Sequence, residues 1–340
     1  MMKVYSNFDA LEVKTPTACG MGNFDGVHLG HQRLIHELVT RADKEGLESF
    51  VVTFEPHPLK ILSPKDAPPL ITSLEQKKKL IESYGVKNLL LIPFTKKFSQ
   101  MSYEEFINRI LIEKLNAKLI VVGYNFQFGS GGKGTAENLK SIGLQKGFET
   151  LIVPPVTVNG RIVSSTLIRN MIESGKMKEA KTLLGRPFSI RGKVVKGEAI
   201  GRKLGFPTAN VFLSPQIIKP AFGVYAVLVS RDGAIYRGVA NIGQKPTFRN
   251  KAGACNITLE VHIFDFDEQI YGEEIEVYFI ERIREEKAFQ DVESLALQVK
   301  MDIVKARSIL DLLQKSRQNA PDFNRGMNGG LQFFSGYAKI

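Results

Sequence analysis

Two different spacings of apolar residues divide the chain near residue 185. Before this point, short continuous apolar segments alternate with segments whose apolar residues recur every three or four positions. The first pattern predicts strands buried on both faces and the second predicts amphipathic helices, so their alternation indicates a parallel sheet covered by helices. The predicted strands are 17–21, 50–54, 88–93, 119–123 and 151–154, and the predicted helices are 30–44, 74–83, 103–115, 137–146, 166–173 and 176–184.

The pattern changes at Gly185-Arg-Pro-Phe188 to short segments in which apolar and polar residues alternate, separated by Gly, Pro and Asn. This alternation predicts an antiparallel barrel. Residues 289–313 then have apolar side chains at helical spacing, and the remaining residues have no period. We therefore expect two domains, 1–184 and 185–316, followed by an unassigned tail, 317–340. The predicted barrel strands are 189–195, 223–229, 236–242, 257–264 and 275–280.

Length and composition agree with this division. The chain has 340 residues, of which 43% are hydrophobic and 24% are charged, so each part can bury a core and wholesale disorder is excluded. Its longest apolar runs are far shorter than the ~20 residues that a membrane helix needs. The first residues lack a signal-peptide pattern, and two cysteines are too few for a disulfide framework. We therefore expect a cytoplasmic protein with no membrane partner.

The net charge of +11 is spread along the chain rather than gathered in one block. The longest run of like charge is three lysines, Lys77–Lys79. Nucleic-acid-binding proteins usually concentrate their charge, whereas diffuse charge suits small polyanionic ligands equally well. Within the predicted barrel, residues 185–251 hold 12 basic and 2 acidic residues, and residues 252–310 hold 6 and 13. We expect no nucleic-acid partner.

The loop after the first predicted strand, Gly22-Asn-Phe-Asp-Gly-Val-His-Leu-Gly-His31, carries the strongest chemical signal. It leads from a strand into a helix, where free backbone N–H groups and the helix dipole favour phosphate. Its glycines permit tight turns, and His28 and His31 can donate hydrogen bonds to charge that develops on one triphosphate. Two solvent-facing histidines or a metal pair are the alternatives. The candidate phosphate-binding residues of this histidine loop are Gly22, Phe24, Asp25, Gly26 and Gly30.

The histidine loop resembles the signature of the nucleotidylyltransferase superfamily, whose H-x-G-H motif binds ATP or CTP phosphates. A second superfamily motif is similar to Val163-Ser-Ser-Thr-Leu-Ile-Arg169, at the start of a predicted helix. The resemblance implies a doubly wound, Rossmann-like parallel sheet. It also implies that Ser165 and Thr166 cap the helix and, with Ser164, contact phosphate. Arg169 would clamp the β- and γ-phosphates.

Two further segments narrow the resemblance to the FMN adenylyltransferase module of prokaryotic bifunctional riboflavin kinase/FAD synthetases. They are Thr53-Phe-Glu-Pro-His-Pro58 and Val121-Val-Gly-Tyr-Asn-Phe-Gln-Phe-Gly129. The resemblance implies that the second segment lies beside the flavin and the adenine. The alternative is that these aromatic side chains belong to the core. The candidate flavin-binding residues are Phe54, Tyr124, Asn125, Phe126 and Phe128.

The segment Gly129-Ser-Gly-Gly-Lys-Gly134 formally matches the dinucleotide-binding pattern G-x-G-x-x-G. The acidic residue at the expected distance, Glu149, precedes its strand instead of ending it. Lys133 is followed by glycine instead of the Ser or Thr of a Walker A loop. We therefore interpret this segment as a flexible loop over the flavin site.

In the predicted barrel, Gly201-Arg-Lys-Leu-Gly-Phe-Pro-Thr-Ala-Asn210 combines glycines, basic residues and two oxygen-bearing side chains. Thr208 and Asn210 point the same way in an extended chain, and their oxygens can hold a Mg²⁺ that bridges ATP phosphates. The start of the segment suggests a basic loop over those phosphates, and a surface turn is the alternative. The candidate phosphate-binding residues are Gly201, Arg202 and Lys203.

The predicted strand Ile257-Thr-Leu-Glu-Val-His-Ile-Phe264 places Glu260 on its polar face, with Thr258 and His262. An exposed glutamate on a strand is usually only solvated. Beside Mg²⁺ and ATP, it can instead accept the proton of a substrate hydroxyl.

The run from Leu184 to about Arg307 resembles riboflavin kinase. This resemblance assigns Mg²⁺ binding to Thr208 and Asn210, the general base to Glu260 and a flavin contact to Arg284. The matching motifs are G-x-x-x-G-R-x-L-G-F-P-T-A-N, Asn241-Ile-Gly-Gln-Lys-Pro-Thr-Phe248, Leu259-Glu-Val-His262 with Phe264-Asp-Phe-Asp267, and Ile283-Arg-Glu-Glu-Lys-Ala-Phe289.

Together, the resemblances imply an enzyme that phosphorylates riboflavin to FMN with ATP and then adenylylates FMN to FAD with release of pyrophosphate. ATP and Mg²⁺ would serve both steps. An enzyme that transfers a nucleotidyl group to another phosphorylated acceptor, with a regulatory barrel, is the nearest alternative. An RNA-binding protein is a more distant one, because neither a K-M-S-K-S motif nor interleaved aromatic and basic residues are present.

Overall fold

The computed structural model describes residues 1–197, 201, 205–245 and 256–318. These residues form two compact units. Unit 1 is Met1–Pro69 with Leu74–Ser165, and unit 2 is Leu70–Ser73 with the chain from Thr166 onward. The two short helices between residues 165 and 184 therefore pack with unit 2, whereas the functional division at residue 184 stays a prediction.

Unit 1 contains a six-stranded sheet in which every neighbouring pair of strands is parallel. This confirms the predicted α/β class, since continuous apolar strands need cover on both faces. Five strands match predicted segments, and the edge strand at residues 3–5 is too short to show a period. The strands are β1 (Lys3–Tyr5), β2 (Thr17–Met21), β3 (Glu48–Glu55), β4 (Asn88–Pro93), β5 (Ala117–Gly123) and β8 (Glu149–Val153), in the order β1-β4-β3-β2-β5-β8.

One predicted helix of unit 1 has a different form. Residues 103–115 are a short α-helix, α4 (Tyr103–Phe106), continued by a π-helix at Ile107–Lys114. The apolar spacing fits both forms, so the sequence does not distinguish them. Unit 1 also contains α1 (Leu29–Glu45), α2 (Pro58–Leu62), α3 (Leu74–Ser83) and α5 (Ala136–Lys146), and the strand pairs β6 (Gln127–Phe128) with β7 (Gly134–Thr135) and β9 (Thr157–Val158) with β10 (Arg161–Ile162).

The strand order of the sheet reverses at β2. The chain runs outward from β2 through β3 to β4 and then returns to the other side of β2 as β5. Met21 at the end of β2 is level with Val52 of β3 and Val122 of β5, so the three strands end close together. Ligands of open parallel sheets bind beyond the carboxyl ends of the strands at such a reversal. The fold therefore brings the histidine loop to the same sheet edge as the segments that follow β3 and β5.

Unit 2 contains a closed antiparallel barrel, as predicted. The five predicted strands are present, and a sixth has only three residues, too few for alternation to show. The strands are β11 (Phe188–Val195), β12 (Ala209–Val211), β13 (Gly223–Arg231), β14 (Ala234–Lys245), β15 (Asn256–Ile263) and β16 (Glu274–Arg284), in the order β11-β12-β15-β14-β13-β16.

The helices described in unit 2 include α6 (Ser165–Glu173), α7 (Met177–Leu184) and the long α8 (Val292–Gln318). Helix α8 begins three residues later than predicted and extends past residue 313. It packs on the barrel through Ala306 and Leu310, which are buried in one cluster with Val224 and Tyr278. Among the described residues, no helix is long and apolar enough to cross a membrane.

Candidate active sites

His28 ends the histidine loop and caps helix α1. Its Nδ1 accepts a hydrogen bond from the backbone N–H of His31 at 3.3 Å, so a neutral His28 ring carries its proton on Nε2. The two imidazole rings stack with centroids 3.7 Å apart. Gly30 permits this stack, since a Cβ there would lie 3.2 Å from the His28 ring. The start of the helix therefore presents both imidazoles side by side.

The backbone of the histidine loop is strained. Phe24, Gly26 and Val27 have φ values of +49°, +80° and +39°, in the left-handed region. For a residue other than glycine this conformation costs about 1–3 kcal/mol and persists only when the surroundings hold it. Phe24 is fully buried, and its ring centroid lies 5.2 Å from that of His31. Burial of Phe24 therefore helps to hold both the turn and the second histidine.

The peptide before this turn is held by two hydrogen-bond donors. Thr53 Oγ1, near the end of β3, lies 3.3 Å from the carbonyl oxygen of Asn23, and Lys77 Nζ on α3 lies 3.0 Å from it. Burial lowers the pKa of Lys77, while the carboxylates of Asp25 and Glu55 act to raise it. Sequence reasoning missed Lys77, because a run of three lysines indicates only a charged helix face.

The second phosphate-binding motif begins helix α6. The helix starts at Ser165, one residue earlier than predicted, so Ser165 and Thr166 lie inside it and Ser164 precedes it. Ser165 does not act as the expected cap. Its Oγ donates to the carbonyl of Asp25 at 3.0 Å, which joins this motif to the histidine loop. Arg169 follows one turn later on the same helix and is buried.

The predicted flavin-contacting residues of unit 1 differ in burial. Phe128 lies in the hydrophobic core, and its ring stacks on Phe126 with centroids 5.5 Å apart. Phe54 and Phe126 are half-buried against the same core. Tyr124 and Asn125 are exposed, Tyr124 to 47%. Phe128 is therefore a core residue, which was the alternative to a flavin contact. The other four residues have surface that a flavin can contact.

The glycine-rich segment 129–134 packs against Tyr103. A Cβ on Gly129 would lie 2.6 Å from the Tyr103 nitrogen, and one on Gly134 would lie 2.5 Å from Tyr103 Cβ. The backbone N–H of Ser130 also donates to the carbonyl of Met101 at 2.8 Å. These contacts pack the segment between β6 and β7 against Tyr103, and its flexibility and its place over a flavin stay predictions.

Five residues of the barrel lie in one row across neighbouring strands. Glu260 on β15 is paired with Asn210 on β12 and with Asn241 on β14. Asn241 is also paired with Val224 on β13, which is paired with Arg284 on β16. All five line one cavity of about 330 Å³, which we call the Glu260 cavity. The barrel therefore brings together three predicted site residues that are distant in sequence.

Asn241 is a residue of this cavity that sequence reasoning did not single out. It opens the motif Asn241–Phe248, of which residues 246–248 lie outside the described part of the chain. On an alternating strand its side chain looks like any solvated polar residue. Only the pairing of β14 with β15, which the sequence does not reveal, places Asn241 beside Glu260.

Glycines pack closely against the two predicted metal ligands. A Cβ on Gly197 would overlap the side-chain amide of Asn210, and one on Gly201 would lie 3.3 Å from Thr208 Oγ1. These glycines leave room for the side chains of Thr208 and Asn210. The predicted phosphate-binding residues Arg202 and Lys203 lie outside the described residues.

Thr208 and Asn210 also line a second cavity, of about 250 Å³. One wall of it is the loop Phe266–Tyr271, and we call it the Phe266 cavity. Thr208 and Asn210 are the residues common to the described linings of both cavities, whereas Glu260 lines only the larger one. Two ligands, one in each cavity, would therefore meet at these two side chains.

Helix α8 and the residues before it complete the Glu260 cavity. The guanidinium of Arg284 donates to both carboxylate oxygens of Asp302 on α8, at 2.8–3.0 Å. It also lies 5.8 Å from the centroid of the Phe289 ring. Leu295 and Val299 add apolar surface. Aromatic and apolar walls beside the carboxylate of Glu260 suit an aromatic ligand that carries a hydroxyl group.

The hydroxyl of Thr208 and the amide oxygen of Asn210 fit Mg²⁺, a hard cation that takes oxygen ligands and keeps several waters. Glycines lie close to both donors, and Glu260 adds negative charge nearby. Within the described residues, no group of three or more His, Cys, Asp or Glu side chains can hold a metal ion. The two oxygen-bearing side chains are thus of the kind that Mg²⁺ takes as ligands.

A glycine- and histidine-containing loop at the reversal of a parallel sheet, and a barrel with oxygen-bearing side chains beside a carboxylate, are typical of enzymes that act on phosphate compounds. Residues 11–167 match the FAD synthetase family, and residues 184–310 match the riboflavin kinase family. The chain belongs to the family of bifunctional riboflavin kinase/FMN adenylyltransferases. It phosphorylates riboflavin to FMN and adenylylates FMN to FAD, with ATP as the second substrate.

Relatives resemble the chain over nearly its whole length. A bifunctional riboflavin kinase/FMN adenylyltransferase of Buchnera aphidicola is 40% identical over 304 residues, covering 89% of this chain and 96% of its own. The Bacillus subtilis enzyme of the same name is 38% identical over 308 residues, with the same coverage. A crystal structure from Streptococcus pneumoniae, described as a macrolide-efflux protein, is 37% identical, has a TM-score of 0.82 and covers 90% of this chain and 98% of its own.

Proposed function

We propose that the two reactions use two separate sets of residues, with riboflavin phosphorylated in the barrel of unit 2 and FMN adenylylated at the histidine loop of unit 1. The observation that carries this proposal is the arrangement of the two barrel cavities. They have Thr208 and Asn210 in common, and Glu260 lines only one of them. Such an arrangement suits transfer of a phosphoryl group from a ligand in one cavity to a hydroxyl in the other.

In the barrel, ATP occupies the Phe266 cavity and riboflavin occupies the Glu260 cavity. The flavin ring packs on the apolar wall near Phe289, with Arg284 beside it. The γ-phosphate then lies at Thr208 and Asn210. The carboxylate of Glu260 accepts the proton of the ribityl hydroxyl as its oxygen attacks the γ-phosphorus in line, and ADP leaves.

Thr208 and Asn210 would hold Mg²⁺, which would neutralise phosphate charge. Gly201 lets the backbone approach the phosphates closely, and Arg202 and Lys203 add positive charge there. The side chains of the protein thus position the two substrates in line, which is the main requirement of phosphoryl transfer.

At the histidine loop, an oxygen of the FMN phosphate attacks the α-phosphorus of a second ATP, and pyrophosphate leaves. The FMN phosphate is already ionised, so the step needs no general base and no covalent intermediate. The Nε2–H of His28 and the ring of His31 donate hydrogen bonds to charge that develops on phosphate oxygens. The other contributors to phosphate binding are Gly22, Phe24, Asp25, Gly26, Gly30, Ser164, Ser165, Thr166 and Arg169, and the flavin contacts are Phe54, Tyr124, Asn125 and Phe126.

The barrel assignment is tested by Glu260→Gln, which keeps the size of the side chain and removes the base. We expect riboflavin phosphorylation to fall about 10²- to 10⁴-fold, as for loss of a general base, while FMN is still converted to FAD. Glu274→Gln, on β16 and outside both cavities, is the matched control and should keep both activities. An equal fall in both activities of Glu260→Gln would contradict the assignment.

The histidine-loop assignment is tested by His31→Ala. We expect FAD synthesis from FMN to be lost while riboflavin is still phosphorylated. His36→Ala, on the same helix α1, should keep both activities. Persistence of full FAD synthesis in His31→Ala would rule out this site.

A further inference from the structure

Lys77 is a buried lysine that has no role in either of the two proposed mechanisms. It lies on α3 with 5% of its surface exposed, and its Nζ lies 3.0 Å from the carbonyl oxygen of Asn23. Its neighbours on the helix have ordinary surface positions, with Lys78 paired to Glu75 at 2.9 Å and Lys79 exposed. Burying an ammonium group costs free energy, so its position requires a compensating interaction.

The hydrogen bond alone does not account for a lysine at this position. The hydroxyl of Thr53 reaches the same carbonyl oxygen at 3.3 Å, so a neutral donor is already present. The lysine adds a positive charge, and the negative charges of Asp25 and Glu55 act to raise its pKa while the positive charge of Lys60 acts to lower it. Asp25 is itself only 2% exposed. The ammonium therefore balances a buried carboxylate inside the histidine loop.

The carbonyl oxygen of Asn23, to which Lys77 donates, lies at the start of the strained turn of the histidine loop. Asn23 directly precedes Phe24, the first of the residues in the left-handed region. At the other side of the turn, the carbonyl oxygen of Asp25 accepts a hydrogen bond from the hydroxyl of Ser165. The turn is thus fixed at both sides, and it leads to the imidazole of His28.

We propose that Lys77 is a positioning residue for FMN adenylylation. Its ammonium fixes the turn from Asn23 to Gly26 and balances the negative charge that Asp25 and the ATP phosphates bring to the histidine loop. The inference rests on the proposed function, because it takes this loop as the adenylylation site. Lys77 contacts the loop and none of the reacting atoms, so it acts through the position of the loop.

The test compares K77M, K77Q and K77R with the wild-type full-length chain in FAD synthesis at varied ATP and FMN. We expect K77M and K77Q to lower kcat about 10- to 100-fold and to raise KM for ATP, because a displaced loop loses its alignment with the phosphates. KM for FMN should not change. K77R should recover much of the lost kcat, since it keeps the charge.

Two control variants distinguish the effect of the Lys77 charge from that of the hydrogen bond and from that of losing any lysine on the helix surface. K79M removes an exposed lysine of the same helix and should behave as wild type. T53V removes the neutral donor to the same carbonyl and should cost less than K77M. The rate of riboflavin phosphorylation measures the concentration of active protein in each sample. Circular dichroism checks that each variant is folded. If K77M does not fold, the comparison of K77Q with K77R carries the test.

Wild-type kinetics in K77Q, or equal increases in KM for ATP and for FMN, would overturn the proposal. His31→Ala, assayed alongside, distinguishes this outcome from failure of the site itself. If His31→Ala keeps FAD synthesis, the histidine loop is not the adenylylation site. If His31→Ala loses FAD synthesis while K77M keeps it, only the role of Lys77 is wrong.

Discussion

In the proposed mechanism, His28 combines a structural and a chemical task in one side chain. Its Nδ1 accepts the N–H of His31 and so caps α1. The remaining ring N–H, on Nε2, is then the one that can donate to phosphate. Asparagine is also a good helix cap, but it offers no donor at the position of Nε2. The two tasks therefore have different requirements and can be separated by substitution.

We predict that H28N loses FAD synthesis and keeps the cap, whereas H28A loses both. Loss of the cap costs about 1 kcal/mol, so H28A should unfold at a lower temperature than H28N. Thermal unfolding followed by circular dichroism, together with the FMN-to-FAD assay, checks both parts. Equal unfolding temperatures would contradict the cap, and full FAD synthesis in H28N would contradict the role of the imidazole.

The buried amine of Lys77 makes folding stability depend on pH. Its pKa in the folded chain lies below the ordinary value of 10.5, mainly through burial and also through Lys60, against the opposing carboxylates of Asp25 and Glu55. Unfolding restores the ordinary pKa, so the unfolded chain binds the proton more readily. The folded chain therefore gains stability as pH rises from the lowered pKa towards 10.5, and it bears a penalty below that interval.

We predict that the unfolding temperature of the wild type rises relative to that of K77M as the pH increases from neutral towards 10.5, because the wild type then loses the cost of burying a charged amine and methionine has no such cost. Unfolding temperatures of both proteins, measured across this range, test the prediction. K79M should show no such trend, and a difference between K77M and wild type that is constant with pH would contradict it.

At the scale of secondary-structure elements, burial determines what the sequence can predict. Long strands such as β4 and β13 follow from their apolar patterns, because one or two buried faces impose a period on the residues. Strand β12 has three residues and shows no period, yet it carries Asn210. The π-helix after α4 has the apolar spacing of an α-helix, so only its hydrogen bonds reveal it.

The candidate sites were predictable to the extent that their chemistry lies in one continuous segment. In the histidine loop and in the segment 201–210, the proposed chemistry requires particular residue types at a fixed spacing, and the sequence shows them. Asn241 and Lys77 could not be predicted in this way. The first depends on which strand pairs with β15, and the second depends on how α3 packs against a loop.

Arg231 contacts the loop Phe266–Tyr271, a wall of the Phe266 cavity, and a residue next to it. Arg231 on β13 donates to Glu268 at 2.7 Å and to Glu273, just beyond the loop, at 2.6 Å. Its guanidinium carbon also lies 5.6 Å from the centroid of the Phe266 ring. Arg231 thereby fixes the wall of the cavity that we assign to ATP.

We predict that R231M raises KM for ATP in riboflavin phosphorylation about 5- to 10-fold, because charge-assisted hydrogen bonds that hold the wall are lost. KM for riboflavin and the conversion of FMN to FAD should not change. R237M, which removes an ion pair with Asp311 outside both cavities, is the matched control. An unchanged KM for ATP in R231M would contradict the assignment of this cavity.

At the scale of the whole molecule, the two reactions are linked by FMN, which is the product of one and the substrate of the other. The proposed mechanisms use different reacting groups, a carboxylate in the barrel and imidazoles at the histidine loop. Neither set is required for the step that the other performs. Two chains, each defective in a different step, should therefore complete the sequence between them.

The most direct test of this account mixes E260Q with H31A and supplies riboflavin with Mg²⁺ and ATP. Chromatography then follows FMN and FAD over time. We predict that E260Q alone forms neither product, that H31A alone stops at FMN, and that the mixture forms FAD from the FMN released by H31A. An E260Q chain that no longer converts added FMN, or an H31A chain that no longer forms FMN, would contradict two independent sites, and the mixture would then form no FAD.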